Sequence, residues 1–80
     1  MDYFIGTIEL FPYTFEQMGW LYCNGQTLNI TGYDALFALI GNQYGGDGTN
    51  TFAVPNMLGE EPIPGLHYLI CYDGIFPTRD

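Results

Sequence analysis

Apolar and polar positions alternate along the first stretch of the chain. In "YFIGTIELF", residues 3 to 11, Phe4, Ile8 and Leu10 share one side of an extended backbone, while Thr7 and Glu9 take the other. That alternation predicts a strand, ended by Pro12. "YTFEQM" follows as a loop. Residues 19 to 30, "GWLYCNGQTLNI", then hold two strand-like runs on either side of Asn24-Gly25. This dipeptide is the preferred pair for a two-residue hairpin, whose central positions both take positive φ. A hairpin turning at Asn24 and Gly25 is therefore expected.

The period then changes from two to nearly four. In "TGYDALFALIG", Tyr33, Leu36, Phe37 and Ile40 recur at helical spacing and form one apolar stripe. A short helix is expected over about residues 32–40. Thr31 with Asp34 three places on resembles a capping box, and Gly41 suits the stop just past the last turn. So short a helix is marginal alone and must dock on a sheet. Beyond it, "TFAVP" reads as short and extended, and "GEEPIPG", with two prolines between glycines, as irregular. "LHYLICY" reads as a central strand bounded by Asp73-Gly74, and "IFPTRD" closes the chain. The sum is an α+β fold, one small domain over residues 1–80, with an antiparallel or mixed sheet, a hairpin and one short helix. There is no internal repeat.

Composition narrows the function classes. Nine carboxylates face one cation, Arg79, and lysine is absent, for a net charge of −8. Binding nucleic acid requires neutralising phosphates with Lys or Arg, so a nucleic-acid partner is not expected. Anionic membrane surfaces are disfavoured for the same reason. No run approaches the roughly 18 apolar residues that span a bilayer, and the start lacks a basic region followed by an apolar block. No membrane insertion and no classical signal peptide are expected. Seven tyrosines, six phenylalanines and one tryptophan are more aromatic surface than an 80-residue core needs. A chain this small gains stability from disulfides, metals or partner chains.

The chemistry-bearing residues are few. Cys23 and Cys71 are too far apart for a CxxC motif, and both a disulfide between them and two buried free thiols fit the sequence. The bond would close a long loop and contribute about 4 kcal/mol. The glycine-rich stretch "IGNQYGGDGTNTFAVPN" fails each phosphate and metal template. A P-loop needs Gly-Lys-Ser/Thr, and the chain has neither lysine nor serine. The dinucleotide fingerprint needs a third glycine, where Thr51 stands, and a preceding strand. An EF-hand loop starting at Asp47 would need Glu where Leu58 lies. Asp47 and Asn50 leave room only for a loose calcium site. The conformational reading is preferred: Gly41, Gly45, Gly46 and Gly48 permit positive φ and close backbone approach. A thiol enzyme would pair His67 with Cys71 or Cys23. On one strand, however, His67 and Cys71 stand about 13 Å apart. Glu60 and Glu61 sit in a proline-bound loop expected to be solvated, where no raised pKa is expected. A single histidine holds no zinc within one chain.

Three blocks carry a family resemblance: "GWLYCNGQTLNI", then "ALFALIGNQYGGDGTNTFAVPN", then "GIFPTRD". In this order they resemble the phage tail-collar domain, a family that includes short tail fibres and bacterial "microcystin-dependent" proteins. The resemblance spans nearly the whole chain. It implies a small α+β module at the distal parts of fibres, without enzymatic activity or cofactor, working in a trimer. The departures matter as well. Family members usually follow the "TFAVPN" block with an arginine-bearing segment and a long insertion, often with a His-x-His pair. Here "MLGEEPIPG" runs straight into the last strand. Saccharide and metal binding at an elaborated tip are therefore not carried over. The resemblance also starts close to Met1, so no fibre shaft is expected ahead of it.

Two functions are weighed. In the first, the chain is a structural module that associates with itself, as a homotrimer or a filament, outside a cell or on a virion surface. Aromatic richness without lysine is the composition of an interface. In the second, it binds a cell-surface glycan through exposed rings and amides, with Tyr44, Asp47, Asn50 and Trp20 as candidate contacts.

Overall fold

The structure is a computed structural model and describes residues 3–77. Six elements follow in chain order: β1 (Ile8–Phe11), β2 (Trp20–Tyr22), β3 (Thr27–Asn29), α1 (Asp34–Ile40), β4 (Thr51–Ala53) and β5 (His67–Cys71). They form an α+β fold with two antiparallel sheets. One has the order β1-β5-β2 and the other pairs β3 with β4. The run "LHYLICY" is central, as its apolar character predicts: β5 is bonded to a neighbour on each side.

The register of β5 sorts the core. Residues paired across a ladder share a face, and consecutive residues alternate. Trp20 lies opposite Cys71 and Tyr22 opposite Leu69, so these four share one face. Leu21 lies opposite Ile70 on the other. Two apolar clusters follow. One gathers Trp20, Leu69 and Cys71, with Tyr3, Phe11 and Tyr22 against them. The larger gathers Ile5, Leu21, Cys23 and Ile70 with Leu36 of α1 and with Phe52 and Val54 of the β4 segment. Leu36, Phe52, Val54 and Leu69 have no solvent exposure. Burying each such side chain stabilises the fold by roughly 1.5–3 kcal/mol before entropy is set against it.

The predicted hairpin does not form. The runs flanking Asn24-Gly25 enter different sheets, β2 joining β5 and β3 joining β4. A type I′ turn needs positive φ at both central residues. Gly25 has it, at φ +78°, but no described residue other than glycine does. Asn24 instead accepts the Gln26 N–H at its side-chain carbonyl, 3.0 Å away. The segment stays extended because a later one pairs with it: Gly25 donates to the Pro55 carbonyl, Val54 to that of Gln26 and Met57 to that of Cys23. With Asn24 bridged to Asn56 and Asn29 paired with Thr51, a continuous antiparallel ribbon runs along both segments.

Two further expectations change. Residues 3 to 11 are not one strand. Gly6, at φ +94°, breaks the run, and Thr7 donates back to the Phe4 carbonyl at 3.1 Å. Phe4 then forms an isolated parallel bridge to Ile75. The core residue of this stretch is Ile5, while Phe4 and Ile8 are exposed. The helix starts at Asp34 with Tyr33 as its N-cap residue and no side-chain cap. Gly32, at φ +103°, turns the chain just before it, so Thr31 never reaches the capping position. The apolar stripe is as expected: Leu36 is buried, and Tyr33, Phe37 and Ile40 pack beside it. Gly41, at φ +61°, ends the helix and donates to the Phe37 carbonyl. Of the closing run, Ile75 bridges Phe4, and Thr78, Arg79 and Asp80 lie outside the described residues.

Between α1 and β4 the chain turns through the glycine stretch, and one position there has no room for a side chain. A Cβ on Gly46 would lie 2.4 Å from Phe52 Cα and 2.6 Å from the Thr51 carbonyl oxygen, both backbone, at φ +88°. Gly46→Ala should therefore destabilise the fold by about 3 kcal/mol or more. Gly32→Ala meets nothing within 4 Å and has only its positive φ to bear, about 1–2 kcal/mol. Urea unfolding followed by Trp20 fluorescence compares the two; equal losses would refute the close-approach argument.

Candidate interaction face and glycine corner

The face of the three-stranded sheet that carries Trp20 also carries a connected row of rings. Tyr3 meets Trp20 edge-on with centroids 5.1 Å apart, and Phe11 meets it likewise at 5.0 Å. Tyr13 stacks on Phe11 at 5.9 Å and Phe15 on Tyr13 at 5.4 Å. Exposure grows outward along the row: Trp20 is 7% exposed, Tyr13 39% and Phe15 58%. Met18 beside them is almost fully in water. A cleft of about 330 Å³ opens at the inner end, lined by Tyr3, Met18, Gly19, Trp20, Cys71, Asp73 and Gly74. Pairs in these orientations contribute about 0.5–1.5 kcal/mol each beyond the area they bury. The row was not singled out in the sequence. Its signal was present as Phe11, Tyr13 and Phe15 at every second position, interrupted by Pro12 and Thr14.

Burial changes the role of Trp20. Trp20 is only 7% exposed and packed by Tyr3 and Phe11, which leaves a sugar ring little indole surface to stack on and makes it a core residue of this cluster. Nor does it join the other glycan candidates. Tyr44, Asp47 and Asn50 lie on the glycine corner between α1 and β4. Tyr44 is half in water there, and Asp47 and Asn50 are exposed.

The two cysteines are free thiols, and the register shows why. Cys71 faces the Trp20 cluster, whereas Cys23 donates its backbone N–H to Tyr68 and faces the larger core. They stand on opposite faces, three residues apart along the ladder, or about 10 Å. A disulfide requires Cα atoms within about 7 Å. The same alternation separates Cys23 from His67, which lies opposite Phe11 on the other face, edge-on to Tyr22 at 5.6 Å. Burial pushes the Cys23 thiol up to about 11 and raises that of Cys71 as well. Both therefore disfavour the thiolate, the nucleophilic form. In the proline-bound loop Glu60 is exposed, while Glu61 is half-buried and accepts the Gly59 N–H at 2.9 Å.

The glycine corner is organised by one carboxylate. Asp47 Oδ1 accepts the backbone N–H groups of Thr49 and Asn50 at 2.8 Å and of Thr51 at 3.0 Å. The Asp47 N–H in turn donates to Thr51 Oγ1 at 3.0 Å. Asp47 and Asn50 thus meet through backbone, with Oδ1 of the carboxylate given to three N–H groups. No group of three or more His, Cys, Asp or Glu residues suited to a metal occurs among the described residues. Gly45 accepts from Ala53, and Gly48 donates to the Thr51 carbonyl, joining the corner to β4.

Three backbone donors hold the Asp47 carboxyl at about 2, well below its ordinary 3.8. A depressed folded-state pKa contributes stability that is fully present above about pH 4 and is lost as pH falls through about 2. Asp47→Asn keeps a carbonyl acceptor but removes the charge. Its deficit in Tm against wild type should accordingly shrink as pH is lowered from 4 to 2. A deficit constant over that window, in paired melting curves, would show that the charge contributes nothing.

Comparison with known proteins accords with this geometry, in which rings and backbone-bonded glycines dominate. No curated protein and no solved structure matched the chain. The model of the Phage Tail Collar Domain matches residues 6–62, well over half of the 80 residues, from the turn after Ile5 to the loop before β5. The chain belongs to the phage tail collar domain family.

Proposed function

We propose that this chain is a non-enzymatic structural module that associates with itself into a homo-oligomer or fibre, extracellularly or on a virion surface. Membership of a tail-fibre structural family supports the structural part of this reading. The observation that carries the self-association is the apolar surface left outside the two cores. Phe15, Met18, Leu58 and Ile63 are each more than half exposed, and so is Phe4. Aromatic residues and methionine are enriched at interfaces, whereas lysine is depleted. Glycan binding is the weaker reading, because its tryptophan is enclosed and lies apart from Tyr44, Asp47 and Asn50. As architecture, Asn24, Gly25, Gly41, Gly45, Gly46, Asp47 and Gly48 shape the corner and its ribbon.

The net charge of −8 opposes packing of copies, and salt screens exposed charges over about 10 Å at 0.1 M. Sedimentation velocity should give a species well above the 9.0 kDa chain, with its mass growing as salt is added. A monomer persisting at high concentration and high salt would defeat the proposal.

A further inference from the structure

We infer that the segment Tyr3–Ile5 is an exchangeable strand, which in the assembly docks into the equivalent groove of a neighbouring copy, with Gly6 as the hinge. This deepens the self-association reading and rests on it.

The segment is held by few but specific contacts. Ile5 donates to the Ile75 carbonyl at 2.8 Å, and Ile75 donates to that of Tyr3 at 2.9 Å. Ile5 is 8% exposed in the larger core, and the Tyr3 ring sits against Trp20 on the other side of the sheet. The groove is cut to this backbone. A Cβ on Gly74 would fall 2.3 Å from the Tyr3 carbonyl oxygen, so that position admits only glycine beside the inserted strand. None of these contacts depends on which copy supplies the strand.

Gly6 connects the segment to β1. It has φ +94°, with nothing within 4 Å of where a Cβ would be. Its conformation folds the segment back, with Gly6 donating to the Cys71 carbonyl at 2.8 Å and Thr7 to that of Phe4 at 3.1 Å. An extended Gly6 would release these bonds and carry Tyr3–Ile5 away from its own sheet, with no side chain packed where its Cβ would be. Exchange of an identical element is a low-cost route to association, because the contacts already exist in the closed chain.

Charge favours this over docking of one outer surface on another. Nine carboxylates and a single arginine give two copies almost no opposite charges to match. An exchanged strand uses backbone hydrogen bonds and buried apolar groups instead. Each copy donates one strand and accepts one, so the exchange closes reciprocally in a dimer or, passed from copy to copy, builds a ring or an open chain.

The test uses the full chain carrying Phe4→Cys and Ile75→Cys together. These residues are bridge partners, and both are about half exposed, so the substitutions leave the cores alone. Bridge partners on adjacent strands lie within disulfide reach. Assembled protein is oxidised, denatured and run on a non-reducing gel. Exchange links position 4 of one copy to position 75 of another and gives dimers joined by two 4-to-75 bonds, or a ladder beyond dimers, which peptide mapping identifies and reduction collapses. Either single variant stops at dimers, and the wild type shows no ladder. Assemblies that sediment as large species, yet yield only internally linked monomers, would overturn the exchange and leave self-association standing. Absence of any assembly would overturn both. Independently, Gly6→Ala disfavours the folded-back hinge and should lower the concentration for half-assembly about tenfold; an unchanged concentration would refute the hinge.

Discussion

Strand β5 is hydrogen-bonded on both sides, and its alternation assigns its neighbours to one of two cores. Trp20, Leu69 and Cys71 go to one side, and Leu21, Cys23 and Ile70 to the other. A shift of one residue in the β2–β5 register would exchange these sets and place aromatic rings where α1 and the β4 segment now pack. The separation of the cysteines, the enclosure of Trp20 and the placing of Cys23 on the face away from His67 all follow from that single register. How the sheet is bonded thus decides which of the chemistry-bearing side chains can meet.

Elements with strong periodicity were legible in the sequence. The stripe Tyr33, Leu36, Phe37 and Ile40 gave α1 its packed face, and the apolar run at residues 66–72 gave the central strand. The hairpin was not legible, because Asn24-Gly25 is a local signal and its outcome was settled by residues some thirty positions away. The backbone from Thr51 to Met57 offered the segment 23–29 a full ladder, and tertiary pairing overrode the turn propensity. The capping role of Thr31 failed for a similar reason, since Gly32 took a positive φ and moved the helix start. At the candidate site, the glycines and Asp47 announced a corner through their residue types. The ring row on the opposite cluster did not, because Pro12 reads as the end of a strand and the residues after it as a loop.

The acidic balance and the aromatic excess are two aspects of one problem. An 80-residue chain has little interior, and this one leaves Phe4, Phe15 and Met18 in water. Exposed apolar groups favour association, while like charges oppose it over about a Debye length. Shedding lysine removes a side chain that is poorly suited to interfaces. It also removes the counter-charges that would let copies dock face to face. Contacts that need no charge matching, namely backbone pairing and ring packing, are what remain.

Strand exchange would place a barrier on the route to assembly as well as a contact at its end. To leave its own groove, Tyr3–Ile5 must expose Ile5, at roughly 2–3 kcal/mol, and release the Tyr3–Trp20 edge contact, at about 1 kcal/mol. The open chain is then on the order of one copy in several hundred at 25 °C. Docking into a neighbour restores both terms, so the end state differs from the closed chain mainly in lost translational freedom and in charge repulsion. Salt acts on the repulsion and leaves the opening almost untouched, because opening breaks apolar and backbone contacts within one copy. The rate of exchange should therefore follow the stability of the docked Tyr3–Ile5 segment, and its extent should follow ionic strength and concentration. A surface-to-surface contact would couple both to salt, because the same repulsion would slow the encounter and weaken the complex.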